Sequence, residues 1–200
     1  CSTCHGLNAE GGAGGPSLIG VGASAVVFQV DSGRMPLAHG ARQARRKPAK
    51  YDRTQTDQLA AYIQSVGGGP ELPLGRLDDG QLALGGDLFR TNCSSCHNFA
   101  GVGGALTRSS NAPPLTEASS RVIYAAMQSG PENMPRFGDN SLTPDEKRAI
   151  VRYVRFTTQE SKNPGGLGLG RYGPVPEGLA IFLIGMGLCI VITLWIGARA

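Results

Sequence analysis

Along most of the chain the apolar positions are spaced for short helices, and near the C-terminus they become continuous. Leu59, Tyr62, Ile63 and Val66 fall at i, i+3, i+4 and i+7, one face of a helix. Thr54, with Asp57 three residues on, is the expected cap and capping-box pair, and Gly67-Gly68-Gly69-Pro70 ends the helix. Thr143-Pro144-Asp145-Glu146 is a stronger start of the same kind, with proline in the first turn and glutamate at the box position. The helix it opens should bury Ile150, Tyr153, Val154 and Thr157. Shorter helices are expected over 23–31, 81–92 and 120–129. Leu179 to Gly197 then carries no charge. At about 1.5 Å per residue such a stretch crosses the roughly 30 Å of a bilayer's hydrocarbon core. Being apolar on every face, it predicts a single transmembrane helix and not a buried soluble one. Glu177 flanks one end; Trp195 and Arg199 flank the other.

The elements come twice, in the same order. Tyr62-Ile63 and Tyr153-Val154 occupy equivalent places, as do Met35-Pro36 and Met134-Pro135. Each half also carries a Cys-x-x-Cys-His run, Cys1-Ser2-Thr3-Cys4-His5 and Cys93-Ser94-Ser95-Cys96-His97. The expected organisation is all-α: a first domain over 1–69, a linker over 70–80 and a second domain over 81–160. A Gly/Pro-rich linker over 161–178 and the membrane helix over 179–198 complete it. The 30 glycines and 13 prolines suit loop-rich units, and units of this size bury too little surface to be stable on their own.

Cys-x-x-Cys-His reads as a c-type haem attachment site. Two thiols on one turn can each add to a vinyl group of the same porphyrin, and the following histidine lies under the iron as its axial ligand. A zinc half-site would need a second pair of ligands, for which only His39 is left over, and a redox dithiol does not require the histidine. Two covalently bound haem c groups are therefore expected, on Cys1 and Cys4 with His5, and on Cys93 and Cys96 with His97. They would supply the missing apolar core. Cys189 stands alone in the apolar stretch, so no disulfide is implied.

An electron-carrying haem usually has both axial positions filled. The matched Met-Pro pairs make Met35 and Met134 the candidates for the sixth position. Met127 lies on a predicted helix and Met186 in the membrane stretch, so both read as packing. His39 could displace Met35, with no counterpart in the second half. Closed coordination on both irons favours electron transfer over catalysis, and no catalytic residue is expected.

The formal charge of +4 is modest but uneven. Arg34, Arg42, Arg45, Arg46, Lys47, Lys50 and Arg53 stand against Asp52 alone. The run can be a solvated loop, a docking surface, or a clamp on haem propionates or anionic lipid. Neither nucleic acid nor a small-molecule substrate is expected. The chain starts at Cys1 without an initiator methionine, and an export signal is expected on a longer precursor.

Both halves resemble class I cytochromes c. Gly85 and Phe89, eight and four positions before Cys93, look like that family's first helix, which crosses the last helix where Tyr153 would meet it. Gly15-Pro16-Ser17-Leu18 resembles the family's Gly-Pro-x-Leu, and the resemblance implies that the Pro16 carbonyl accepts a hydrogen bond from His5. In Ala112-Pro113-Pro114-Leu115 the counterpart is Pro113, with Pro114 the alternative. More narrowly, the chain resembles the dihaem cytochrome c subunits of actinobacterial cytochrome bc complexes. The matching stretches include Cys-Ser-Thr-Cys-His-Gly-Leu-Asn, Cys-Ser-Ser-Cys-His-Asn-Phe, Asn-Met-Pro-Arg-Phe and Tyr-Gly-Pro-Val-Pro-Glu-Gly.

That resemblance implies an electron-transfer subunit of a menaquinol–cytochrome c reductase in the cell membrane. The first haem would receive electrons from a Rieske iron–sulfur protein beside cytochrome b. The second would pass them to an aa-type cytochrome oxidase in a supercomplex. The haem domains would lie outside and the C-terminus in the cytoplasm, with lipid around the helix. The competing expectations are a cytochrome subunit of a periplasmic dehydrogenase and a dihaem enzyme of the peroxidase or thiosulfate dehydrogenase type.

Overall fold

A computed structural model describes residues 1–38, 40–41, 43–107, 109–160, 169 and 174–199. His39, Arg42 and most of the linker over 161–173 lie outside the described residues. Helices dominate. In chain order they are α1 (Ser2–His5), α2 (Gly22–Asp31), α3 (Arg53–Gly67), α4 (Leu82–Asn92) and α5 (Ser94–His97). A two-stranded antiparallel hairpin follows, β1 (Gly104–Ala105) with β2 (Asn111–Ala112). Then come α6 (Ser120–Ser129), α7 (Pro144–Arg155) with a π-helical turn over Phe156–Glu160, and α8 (Pro174–Gly197).

The second half is held by the crossing of α4 and α7. Gly85 makes the close approach possible, because a Cβ there would run into the carbonyl of Ala149. Phe89 is 2% exposed and packs with Tyr124, Met127, Leu142, Ile150, Val151 and Val154. Thr143 and Glu146 form the expected capping box, each side chain bonding the other's backbone N–H. Ile150 and Val154 are buried as expected, whereas Tyr153 and Thr157 are only half-buried. α6 runs over the predicted span, capped by Ser119 and stopped by Gly130 in the left-handed region.

The start of α3 differs from the expectation. Its cap is Asp52, whose carboxylate accepts the Gln55 N–H at 2.9 Å while the Gln55 side chain accepts the Asp52 N–H at 3.1 Å. Aspartate ranks above threonine as a cap, and the glutamine three residues on closes the box, so Thr54 sits inside the first turn. The buried stripe is Thr56, Ala60 and Ile63, and Tyr62 is 50% exposed. α8 also begins earlier than expected, at Pro174. Prolines in a first turn lack only N–H groups that have no partner there, and Glu177 suits the positive end of the helix. No residue of α8 is buried, and its mean hydropathy of 2.7 over a membrane-length window fits a membrane anchor.

The halves are packed together. α2 of the first lies against α6 of the second, where Val27, Phe28 and Ala60 share one apolar cluster with Ala125. Arg121 on α6 reaches Asp31 at 2.9 Å and pairs with Asp57 on α3. Further on, Gln43 donates to the Asn111 carbonyl at 2.7 Å and accepts the Asn111 N–H at 3.1 Å.

Candidate functional site

The two Cys-x-x-Cys-His runs fold alike. In the first, the N–H groups of Cys4 and His5 donate to the Cys1 carbonyl at 3.1 and 2.8 Å. In the second, Cys96 and His97 donate to Cys93 at 3.2 and 2.9 Å. One helical turn thus brings both cysteines and the histidine together. The chain then reverses through a left-handed residue, Gly6 (φ 84°) or Asn98 (φ 65°). The histidine carbonyl takes the next long-range bond, from Gly11 at 2.7 Å in one half and Gly103 at 3.0 Å in the other.

Each reversal returns a proline carbonyl under the imidazole. His5 Nδ1 lies 2.7 Å from the Pro16 carbonyl, and His97 Nδ1 lies 3.0 Å from that of Pro113. It is Pro113, and not Pro114, that makes the contact. A carbonyl can only accept, so each Nδ1 carries the proton and each Nε2 keeps its lone pair. Burial lowers the pKa of His97, against an upward pull from the Pro113 bond, and favours the neutral ring. Gly15 lies so close to His5 that a Cβ would stand 2.9 Å from the ring.

In the second half Cys93, Cys96, His97, Pro113 and Met134 line one cavity of about 370 Å³. Its inner wall is apolar, with Phe89, Ile123, Met127, Ile150 and Val154. Cys93 is buried and Cys96 exposed, and burial with the neighbouring Cys96 pushes the free Cys93 thiol up to about 11. Met134 is half-buried against the core cluster, its N–H on the Pro131 carbonyl at 3.0 Å. A paired thiol turn, a neutral imidazole and a thioether around an apolar cavity suit a haem bonded at its edge and ligated from both faces.

The first half presents its parts more openly. Cys1 and Cys4 are exposed and His5 half-buried. Met35 is half-buried, with its N–H on the Gln29 carbonyl at 2.9 Å. None of these four lines the second half's cavity. Among the described residues no group of three His, Cys, Asp or Glu side chains is placed to hold a metal ion.

Sequence reasoning offers the basic run as a possible clamp on haem propionates but does not tie it to the second half. Phe28, Ser32, Arg34, Gln43 and Arg46, all from the first half, line the second half's cavity. The unevenness of the basic run was the signal. Its members are sorted by the fold: Arg34 is buried, Arg46 pairs with Glu117 at 3.2 Å, and Lys47 donates to the Pro36 carbonyl at 3.0 Å.

Residues 1–67 match the family described as Cytochrome c. Residues 80–154 match the family described as Cytochrome C oxidase, cbb3-type, subunit III. The whole chain aligns with proteins named cytochrome bc1 complex cytochrome c subunit. It is 49% identical to that of Mycobacterium leprae, covering 72% of the relative, and 48% identical to that of Mycobacterium tuberculosis, covering 74%. With the Corynebacterium efficiens protein the identity is 46%, over 73% of its length.

Proposed function

The chain belongs to the family of cytochrome bc1 complex cytochrome c subunits and carries covalently bound haem c in two cytochrome c domains, and from this we propose that it relays electrons between membrane-bound partners. The relay starts at a Rieske iron–sulfur protein, which takes electrons from menaquinol at cytochrome b. It ends at an aa-type cytochrome oxidase in the same supercomplex. The haem on Cys1 and Cys4 is the entry and the haem on Cys93 and Cys96 the exit. α8 anchors the chain in lipid, with the haem domains outside and the C-terminus in the cytoplasm. Arg199, its guanidinium carbon 4.4 Å from the Trp195 ring centroid, suits an interfacial position at that end.

The observation that carries this reading is the matched His–Pro contact in both halves, together with the packing of α2 on α6. His5 and His97 would hold the two irons through Nε2, and Met35 and Met134 are the residues that would supply a second ligand to each. When bound, each haem iron supplies a one-electron couple. The chain's part is to set its level and hold its place. The proline carbonyls fix the imidazole tautomer and raise its basicity. The thioethers favour the reduced iron, and the apolar inner wall around His97 keeps water from it. Nothing in this role needs a proton donor or a nucleophile.

The test is purification of the tagged chain in mild detergent with haem typing of the preparation. Haem c accompanied by haem b and haem a, and quinol-driven oxygen consumption, is the expected result. Haem c alone beside a dehydrogenase overturns the respiratory assignment. The ligands are read from the far-red charge-transfer band of methionine-ligated ferric haem. Part of it should vanish with Met35→Ala and part with Met134→Ala, and an unchanged band in both rejects the assignment.

A further inference from the structure

Both halves supply polar residues to the wall of the cavity around His97 and Met134, and the two arginines among its described lining residues, Arg34 and Arg46, come from the first half. Arg34 lines it and is 7% exposed, its guanidinium carbon 4.7 Å from the centroid of the Phe28 ring. A buried guanidinium needs an anion. The nearby carboxylates are engaged elsewhere: Asp31 with Arg121 at 2.9 Å, Glu117 with Arg46 at 3.2 Å, and Glu132 with the Ala44 N–H at 3.0 Å. Glu132 acts on Arg34 only at longer range, and among the described residues no carboxylate is within ion-pair distance of Arg34. Arg46 joins the same wall, its head fixed by the Glu117 carbonyl at 2.6 Å. The cavity thus holds, beside carboxylates that are engaged elsewhere, a guanidinium with no ion-pair partner among the described residues.

We propose that Arg34, supported by Arg46, binds the propionate carboxylates of the haem in the second half, so that this haem is seated by both halves of the chain. The inference rests on the haem reading above. A guanidinium fork matches a carboxylate with two parallel hydrogen bonds, which a lysine cannot do. It keeps the propionates ionised, and its positive charge favours the reduced, less positive haem. Arg34 and Arg46 are positioning residues for a cofactor otherwise attached to the second half alone.

The experiment is a spectroelectrochemical titration of the c-type haem band at several pH values, on the full chain in its detergent-solubilised complex. Arg34→Gln should lower one of the two c-haem midpoints and make it pH-dependent across the neutral range. Arg46→Gln should lower the same midpoint by less, and Arg34→Lys should keep most of it. Both midpoints unmoved in Arg34→Gln overturns the proposal. So does a shift of different midpoints in the Arg34 and Arg46 variants, because Arg34 would then act through neighbouring Met35 on the first haem. If Arg34→Gln fails to assemble, Arg34→Lys and Arg46→Gln decide: one shared midpoint lowered supports the inference, and none lowered rejects it. Haem count by mass and the methionine band are recorded on every variant. A fault in the haem or ligand assignment alters those signals in the unsubstituted chain, whereas a fault in this inference leaves them intact.

Discussion

The rings of Phe89 and Tyr153 meet across the crossing of α4 and α7, centroids 5.4 Å apart and planes tilted by 45°. Gly85 lies one turn away on the same helix face, against the Ala149 carbonyl. Phe89→Ala removes a fully enclosed ring and should cost about 3–5 kcal/mol in urea unfolding. Gly85→Ala inserts a methyl where there is only backbone, and the crossing must open. A loss of about 2–4 kcal/mol is expected, read from the same urea curves.

Lys147 is fully buried, with Nζ 3.0 Å from Gln128 Oε1 and 2.5 Å from Asp139 Oδ1. Removing the anion strands the cation, while replacing the cation by an apolar chain of similar length does not. Asp139→Ala should therefore destabilise more than Lys147→Met. The difference is kept to about 1–2 kcal/mol by the 62% exposure of Asp139. Paired denaturation curves settle the order.

Arg121 ties α6 to α2 and α3 through Asp31 and Asp57. Arg121→Ala leaves Asp31 half-enclosed without its partner and should cost about 1–3 kcal/mol. The loss should fall on the packing between the halves. The checkable sign is a single unfolding transition that splits into two.

Glu146 accepts from the N–H and hydroxyl of Thr143 at 2.7 and 2.9 Å, and these bonds hold its carboxyl below the ordinary value. A group depressed in the folded state contributes fully above its unfolded pKa of about 4.3 and loses that contribution as pH falls through the lower folded value. Acid unfolding of the parent should steepen in that window. Glu146→Gln keeps a box-compatible side chain and should remove that part of the pH dependence, read from midpoints collected between neutral and acid pH.

Local patterns were legible where neighbours in sequence decide the outcome. The Thr143–Glu146 box, the span of α6 and the place of Gly85 and Phe89 follow from short-range spacing. Asp52 was overlooked because Thr54-x-x-Asp57 offers a weaker version of the same motif two residues later. Pro113 could not be told from Pro114 by sequence, since only the reversal after Asn98 decides which carbonyl meets the ring. Tyr62 matches Tyr153 in register but not in burial, as a periodicity says which residues share a face and not what covers it. The uneven basic run hinted at a charged contact, but that Phe28, Arg34 and Arg46 reach the second cavity could not be read from it. Their reach depends on α2 docking on α6, a contact made across the linker between the halves.

That docking gives the order of the halves along the chain a structural meaning. Translation delivers residues 22–46 before residues 93–134, so the borrowed wall exists before the chamber it closes. Exchanging the order of the halves would leave every attachment motif intact and reverse that sequence. The tandem copies are therefore not interchangeable, because the later one's cavity is walled in part by residues of the earlier one.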